Sequence, residues 1–536
     1  MNNKTIRIER IILNLNEDES CLEEKAAGIL WISKKEIINF SLVKKAIDAR
    51  KKTNIVFVYS VDIEIVDAKN IFSWAKKLSS RKYTIKIVEP YVYTIWTSQK
   101  TPKNRPIIIG TWPAWLFAGL VLAKAGLKPL LIERWQDIDN RNKDVDMFVT
   151  KWELKENSNI QFGEGGAWTF SDGKLYTLVN DPRSKFIFEE LIKAWAPEDI
   201  IYNAKPHIGT DKLKTVVKNL RKKIIALGWE VKFNSCLNDI EIDNNTINAI
   251  EINNSEKIQT DELILAIGHS ARDTYKMLYE KKLEFQQKPF AMWLRIEHDA
   301  TTINKSQFGE FYDDPKLPTA NYRLVNHSKT NRSVFSFCMC PGWYIVPASS
   351  EEWRLTINGM SKYKQDGQIS NSALLVSILP SDFGSDHPLA GIEFQRKREE
   401  KAFISGGENY NAPVQLVWDF LENKTTTKIN QDSSTYKPGI TPTSLDSCLP
   451  KYVIDAIKEA LPKFDRKINW FANPNTLLIW IEARSSSVVR IVRDKTLQSN
   501  IHGIYPTGEW AGYAWGITSA AIDGLKVAEK IIEKYM

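Results

Sequence analysis

Gly110, Trp112 and Trp115 stand at the spacing with which a strand-to-helix turn grips a diphosphate. Around them the chain reads Arg105-Pro-Ile-Ile-Ile-Gly-Thr-Trp-Pro-Ala-Trp115. A run of small apolar residues leads to Gly126, and Leu127-Lys-Pro-Leu-Leu-Ile-Glu-Arg134 follows. That order is an apolar strand, a tight turn, a helix and a second apolar strand that ends in an acid. It is the layout of a Rossmann βαβ unit with G-x-G-x-x-G written as G-x-W-x-x-W. In such a unit backbone N–H groups at the helix start bind the diphosphate. The acid here is Glu133, 23 residues after Gly110, where it can accept hydrogen bonds from an adenosine ribose. The second glycine of the motif lets the backbone touch the diphosphate, and the third lets the helix pack close to the strand. An indole at either place fills the phosphate site. Pro113 and Ala114 lie between the two tryptophans, and Arg134 follows the acid.

Further pieces carry the same chemistry. Asn159–Leu175 is glycine-rich, and Gly163, Gly165 and Gly166 let backbone amides approach a ligand, while Ser171 and Lys174 can meet a phosphate or a flavin carbonyl. A buried strand ends at Ala266-Ile-Gly268, and Leu237 opens a β-meander with its turn at Asp243–Asn245. Gly508-Glu509 precede a helix that starts at Gly516-Ile517, and its positive end can stabilise a reduced flavin. Order and spacing together point to FAD in a glutathione-reductase-like class. Other residues read both ways. Cys338 and Cys340 are a redox pair or two small thiols in a buried strand. His207, ahead of a helix capped by Thr210 or Asp211, is an acid–base group or a loop anchor. Arg484, Arg490 and Arg493 meet an anion or lie on the surface, and His269 and Arg272 stay open in the same way. No metal-ligand spacing and no Ser-His-Asp arrangement is present, and no catalytic residue is assigned.

The elements that must position these groups are legible in outline. Residues 1–97 alternate strands (Arg7–Asn14, Ile55–Ile65, Tyr83–Val88) with helices (Cys21–Ile29, Asp67–Leu78), which predicts a small ferredoxin-like α+β domain. Residues 98–285 and 471–536 read as a Rossmann-like α/β FAD-binding domain, and 286–470 as an inserted mixed α/β substrate domain. Five scattered cysteines make a disulfide framework improbable, and there is no apolar signal core or membrane-length run, so a cytoplasmic protein is expected. The net charge of +8 is uneven: residues 1–100 hold 18 Lys+Arg against 12 Asp+Glu. That excess is a solvated lysine-rich surface or, as the alternative, a contact for RNA.

From about residue 100 onward the chain resembles FAD-dependent dehydrogenases of the NAD(P)/FAD-dependent oxidoreductase type. The resemblance is carried by Asn159–Leu175, Ala204–Leu213, Ala266–Asp273, Phe335-Ser-Phe-Cys-Met-Cys-Pro-Gly342, Asp386–Gln395 and Tyr505–Gly524, and Ala46–Lys52 with Phe57–Asp62 is similar to the small leading domain. It implies bound FAD, oxidoreductase activity on an unidentified small molecule, and NAD(P)H as a transient partner, since no second G-x-G-x-x-G is present. A flavoprotein acting on RNA and a non-catalytic flavin-binding protein are the alternatives. The family pattern has glycine where this chain has Trp112, Trp115, Trp135, Trp168, Trp229, Trp343, Trp510 and Trp515. Trp152, Trp195, Trp293, Trp353, Trp418, Trp470 and Trp480 look like glycine positions too. With 18 Trp beside only 25 Gly, one repeated replacement is the reading to test. Some bacterial lineages decode UGA as glycine, and translating such a gene with UGA as tryptophan yields this pattern. Taken literally, the indoles demand a flavin-free protein.

Overall fold

The computed structural model describes residues 5–65, 82–110, 113–329, 331–484 and 486–536. The helix expected over 67–78 lies outside them, as does Trp112.

At the N-terminal end Thr5–Asn14, Ile37–Asp48, Val56–Ile65 and Thr84–Val88 form an antiparallel sheet. Thr5–Asn14 is central, between Val56–Ile65 and Thr84–Val88, and Ile37–Asp48 is the outer partner of Val56–Ile65. Alternation sends Ile6, Ile8, Val61 and Ile63 to one face, where Leu22, Ala26 and Leu30 of the helix Cys21–Leu30 cover them. Ile37–Asp48 escapes a pattern-based reading because its residues are only half-buried and interrupted by two bulges. The basic excess here is not one open face: Arg7, Lys25, Lys34, Lys45, Arg50 and Lys86 are each paired with a carboxylate.

The site rests on a five-stranded parallel sheet in the order Ile504–Pro506, Leu263–Leu265, Ile107–Ile109, Leu130–Ile132, Glu230–Lys232. Its central strands are apolar on both sides, as a sheet covered on both faces requires. Ile108, Leu131 and Ile264 pack against the helices Pro113–Lys124, Thr210–Ala226 and Ile517–Lys534. Ile107, Ile109, Leu130 and Ile132 face the other way, toward a three-stranded meander of Leu237–Asp243, Thr246–Ile252 and Glu256–Gln259. The first meander turn falls at the predicted Asn244 and Asn245, both at positive φ, which suits a tight hairpin. A seven-stranded mixed sheet is built on Phe290–Asp299, Ser333–Cys340 and Ile369–Ile378. It also includes Leu477–Glu482, so this layer continues past residue 470. Among the described residues no helix is long and apolar enough to cross a membrane.

Candidate functional site

Gly110 follows directly on Ile107–Ile109 with φ +100°, donates to the Ile132 carbonyl at 2.9 Å, and leaves no room for a side chain. A Cβ there would stand 2.2 Å from the Ala266 carbonyl oxygen. Pro113 opens the helix Pro113–Lys124, where a missing N–H costs nothing. Ala114 is buried beneath the C-terminal helix, and a Cβ on Gly524 would meet the Ala114 carbonyl at 2.1 Å. Sequence therefore sets both the turn and the close helix packing that a diphosphate site needs.

A small cavity lies at the end of this strand. Gly110, Glu133, Arg134, Trp135, Gly163 and Leu237 are among its walls. Gly110, Glu133, Arg134, Gly163 and Leu237 were the residues expected there, so five of the predicted positions come together. Glu133 is buried and accepts from the Trp135 backbone N–H at 3.0 Å. Arg134 donates to Asp273 at 2.8 Å and lies 4.5 Å from the Trp135 ring. The cavity volume is about 30 Å³, whereas small-molecule sites run to roughly 300–1,000 Å³.

The glycine-rich loop beside the cavity is held by a residue that sequence reasoning missed. Arg141, on the helix Ile138–Lys151, is fully buried, and its guanidinium donates to the carbonyls of Asn159, Ile160, Gly163, Glu164 and Gly166. Burial pushes its pKa down to about 9 against the pull of Glu133 and Glu164. The only sequence signal is one arginine in a helix rich in Asn, Asp and Lys, which reads as a solvated face. Gly163, Gly165 and Gly166 all take positive φ. Ser171 is spent on its own turn, donating to the Trp168 carbonyl and accepting from Gly173.

At the far end, Thr518 near the start of Ile517–Lys534 donates to the Leu175 carbonyl at 2.5 Å, which joins the expected Gly516–Ile517 helix start to the Ser171–Leu175 loop. Gly508 takes positive φ, and its N–H donates to Asp523, which Arg493 clamps at 2.6 Å. Gly268 likewise turns with φ +74°. Glu509 is buried, and that burial raises its carboxyl pKa to about 7, with Lys288 pulling it down. The folded state therefore binds the Glu509 proton more tightly than the unfolded chain, and stability contributed by this group falls as pH rises from about 4.5 to about 7. Glu509→Gln should flatten that part of a urea-midpoint-against-pH curve. An unchanged slope in the variant would rule Glu509 out as its source.

Beside this end lies a thiol cluster. The strand Ser333–Cys340 bulges between Phe337 and Cys340, with Cys338 at φ +43°, so the regular alternation expected for two thiols in a strand is broken. The Cys338 and Cys340 sulfurs are 4.0 Å apart. Lys174 Nζ lies 4.0 Å from Cys340 Sγ and 2.8 Å from buried Asp172. A hydrogen bond from Cys340 holds the Cys338 thiol well below its usual range; burial opposes this, and Lys174 and Arg295 reinforce it. Cys236, by contrast, is raised by burial. Iodoacetamide at neutral pH should alkylate Cys338 several-fold faster than Cys236, because the thiolate is the nucleophile. Lys174→Met should slow the reaction, as read by peptide mass spectrometry. Equal rates at the two cysteines would show that the cluster does not activate Cys338.

The remaining candidates resolve as scaffolding. His207 Nε2 donates to the Tyr363 carbonyl at 2.9 Å, the loop-anchor role. The helix after it is not capped by Thr210 or Asp211: Gly209 holds the cap position, while Thr210 bonds the Thr169 carbonyl and Asp211 accepts from Tyr363. Arg272 and Arg484 both pair with buried Glu399 at 2.8 Å and bind no open anion site. Burial and these two arginines push His269 down to about 3, so it is neutral. Arg490 donates to the Gly512 carbonyl. Among the described residues no group of three or more His, Cys, Asp or Glu could hold a metal ion.

Residues 289–485 match the family described as "FAD-dependent protein, C-terminal domain-like", and residues 5–64 match a domain of unknown function. A Clostridium beijerinckii protein called only "uncharacterized protein" is 46% identical over 532 residues, 99% of either chain. The chain belongs to the same family as that clostridial protein. Among solved structures it is similar to the flavin-dependent brominase Bmp2 (14% identity, 81% of this chain and 79% of that one, TM-score 0.37). It is also similar to a flavoprotein/dehydrogenase from Cytophaga hutchinsonii (12%, 81% and 77%, 0.36).

The residues as written do not admit FAD. Trp115 is fully buried at the helix start, Trp168 is buried at the glycine-rich loop, and Trp135 walls the small cavity. None of their indole N–H groups has a hydrogen-bond partner, a cost of about 1–3 kcal/mol for each buried donor.

Proposed function

We propose that the protein is an FAD-dependent oxidoreductase whose cofactor lies along the carboxyl edge of the five-stranded parallel sheet. One observation carries this reading. The Gly110 turn, which cannot bear a side chain, faces the Ala266 carbonyl at the point where the connections from Ile107–Ile109 and Leu263–Leu265 leave in opposite directions. Ligands of open α/β sheets bind in the crevice at that switch point. Glu133 at the end of the neighbouring strand stands where a ribose is held, and Gly516 and Ile517 present a helix start to the other end. The similarity of residues 289–485 to an FAD-dependent protein supports the same class, and in this reading the seven-stranded layer is the substrate side. The flavin supplies the redox chemistry when bound. NADH and NADPH are the reductants to try first.

The reading applies to a chain with glycine at Trp112, Trp115, Trp135 and Trp168. That form should bind one FAD per chain, released as free flavin on denaturation, while the literal form should bind none. A folded glycine form that stays colourless after incubation with FAD would end the proposal. Bleaching of its bound flavin by NADH or NADPH would separate an enzyme from a mere flavin carrier.

A further inference from the structure

Eight of the 18 tryptophans of this chain fall into two groups that share no chemical requirement except one. The first group is exposed and left-handed. Trp31, Trp152, Trp195, Trp353 and Trp470 all have φ between +54° and +79°. Positive φ is uncommon for residues other than glycine and, for a bulky side chain, a genuine outlier. Three of the five stand just past a helix, in the place glycine takes at helix C-termini. At Trp31 the Trp31 N–H meets the Gly28 carbonyl and the Ile32 N–H reaches back to Ala27. At Trp195 the same pair of bonds joins Trp195 to Ile192 and Ala196 to Leu191. Trp152 makes the single-bond version, to Phe148. None of these indoles is buried; Trp31 is 81% and Trp195 is 74% exposed. An apolar ring that gains no packing and strains its own backbone has no reason to be there.

The second group is buried and unsatisfied. Trp115, Trp168 and Trp229 are at most 6% exposed, and their indole N–H groups have no partner. Buried indoles usually find one. Trp229 also lies so close to the helix Pro113–Lys124 that its ring atoms come within 2.3 Å of where a Cβ on Gly119 would be. Turns at a helix end and tight spots in a core ask for opposite things of a side chain. Both groups are explained if there is no side chain at all.

We infer that the polypeptide made in its own cell carries glycine at Trp31, Trp115, Trp152, Trp168, Trp195, Trp229, Trp353 and Trp470, because a codon written as tryptophan is decoded there as glycine. The consequence at Trp115 is a helix start stripped to main chain, which with Gly110 forms a cradle for the diphosphate of a dinucleotide. The inference at the exposed positions stands apart from the flavoprotein reading, because those turns touch no part of the proposed cofactor path. It also adds Trp31, which the family pattern alone did not mark.

Peptide mass spectrometry of the protein purified from the organism that makes it tests this. The tryptic peptides Ala26–Lys34 and Ala194–Lys212 each contain a single such position, at Trp31 and Trp195. Their masses should fall by the difference between a tryptophan and a glycine residue. Tryptophan in both peptides would overturn the inference outright. Glycine in both, from a protein that releases no flavin on denaturation, would uphold the inference and overturn the flavoprotein reading instead. A recombinant check uses folding alone: the form with glycine at all eight positions should be soluble with a single urea transition at a higher midpoint than the literal form. A midpoint no higher than that of the literal form would count against the inference.

Discussion

Replacing Trp31, Trp152, Trp195, Trp353 and Trp470 together by glycine is expected to stabilise the literal chain by about 2.5–5 kcal/mol. Each of the five sits in left-handed backbone, which costs a residue with a Cβ about 1–2 kcal/mol. Glycine gives back roughly 0.5–1 kcal/mol of that in unfolded-state freedom, so each site should gain about 0.5–1 kcal/mol. The five lie in five separate turns, so the gains should add. Losing five exposed indoles should also reduce aggregation. Urea unfolding of the two forms measures the difference directly. Trp96 is the control: it is exposed, but its φ is not left-handed, and Trp96→Gly should bring no gain. A five-site variant no more stable than its parent, or a Trp96 variant that gains as much, would remove backbone strain as the explanation.

The largest loss is expected at Arg141. Its side chain ties the Asn159–Gly166 loop together from inside, with donors committed to five carbonyls. Arg141→Lys keeps the charge, but an ammonium has three donors on a flexible stem and cannot match a planar fork. Two or more carbonyls would then be buried unsatisfied beside a poorly solvated cation, and removing one partner from such an arrangement costs about 3–5 kcal/mol. Arg141→Lys should therefore lower the urea midpoint sharply and speed hydrogen exchange of the Asn159–Gly166 amides ahead of the sheet. In the glycine form it should also weaken flavin retention, since the loop walls the cavity through Gly163. Unchanged exchange in the loop would show that the five contacts are incidental to its order.

How much of this was readable from the letters depends on how local the signal is. The Ile107–Gly110 turn, the acid at Glu133 and the meander turn at Asn244 and Asn245 were all legible, because each is fixed by a few adjacent residues with one physical demand. The strand Ile37–Asp48 was not, since its half-exposed residues and bulges blur the alternation. Arg141 was invisible because its partners lie up to 25 residues away and its helix is otherwise polar. The seven-stranded order joins Phe290–Asp299 to Leu477–Glu482, a pairing no short pattern can announce. Among the tryptophans, those at the nucleotide turn stood out against a known glycine spacing. Trp31 did not, because a helix end becomes visible only when the backbone angle is known.

The parallel sheet has an outer strand, Ile504–Pro506, that pairs with Leu263–Leu265, and the last helix then lies directly over Ala114. In chain order the first strand of that sheet emerges from the ribosome some 400 residues before the last. At about 5–20 residues per second that is a wait of tens of seconds, during which the apolar Ile107–Leu122 stretch has no permanent cover. The Gly110 turn and its cover are therefore complete only after the last helix has been made and has docked on Ala114.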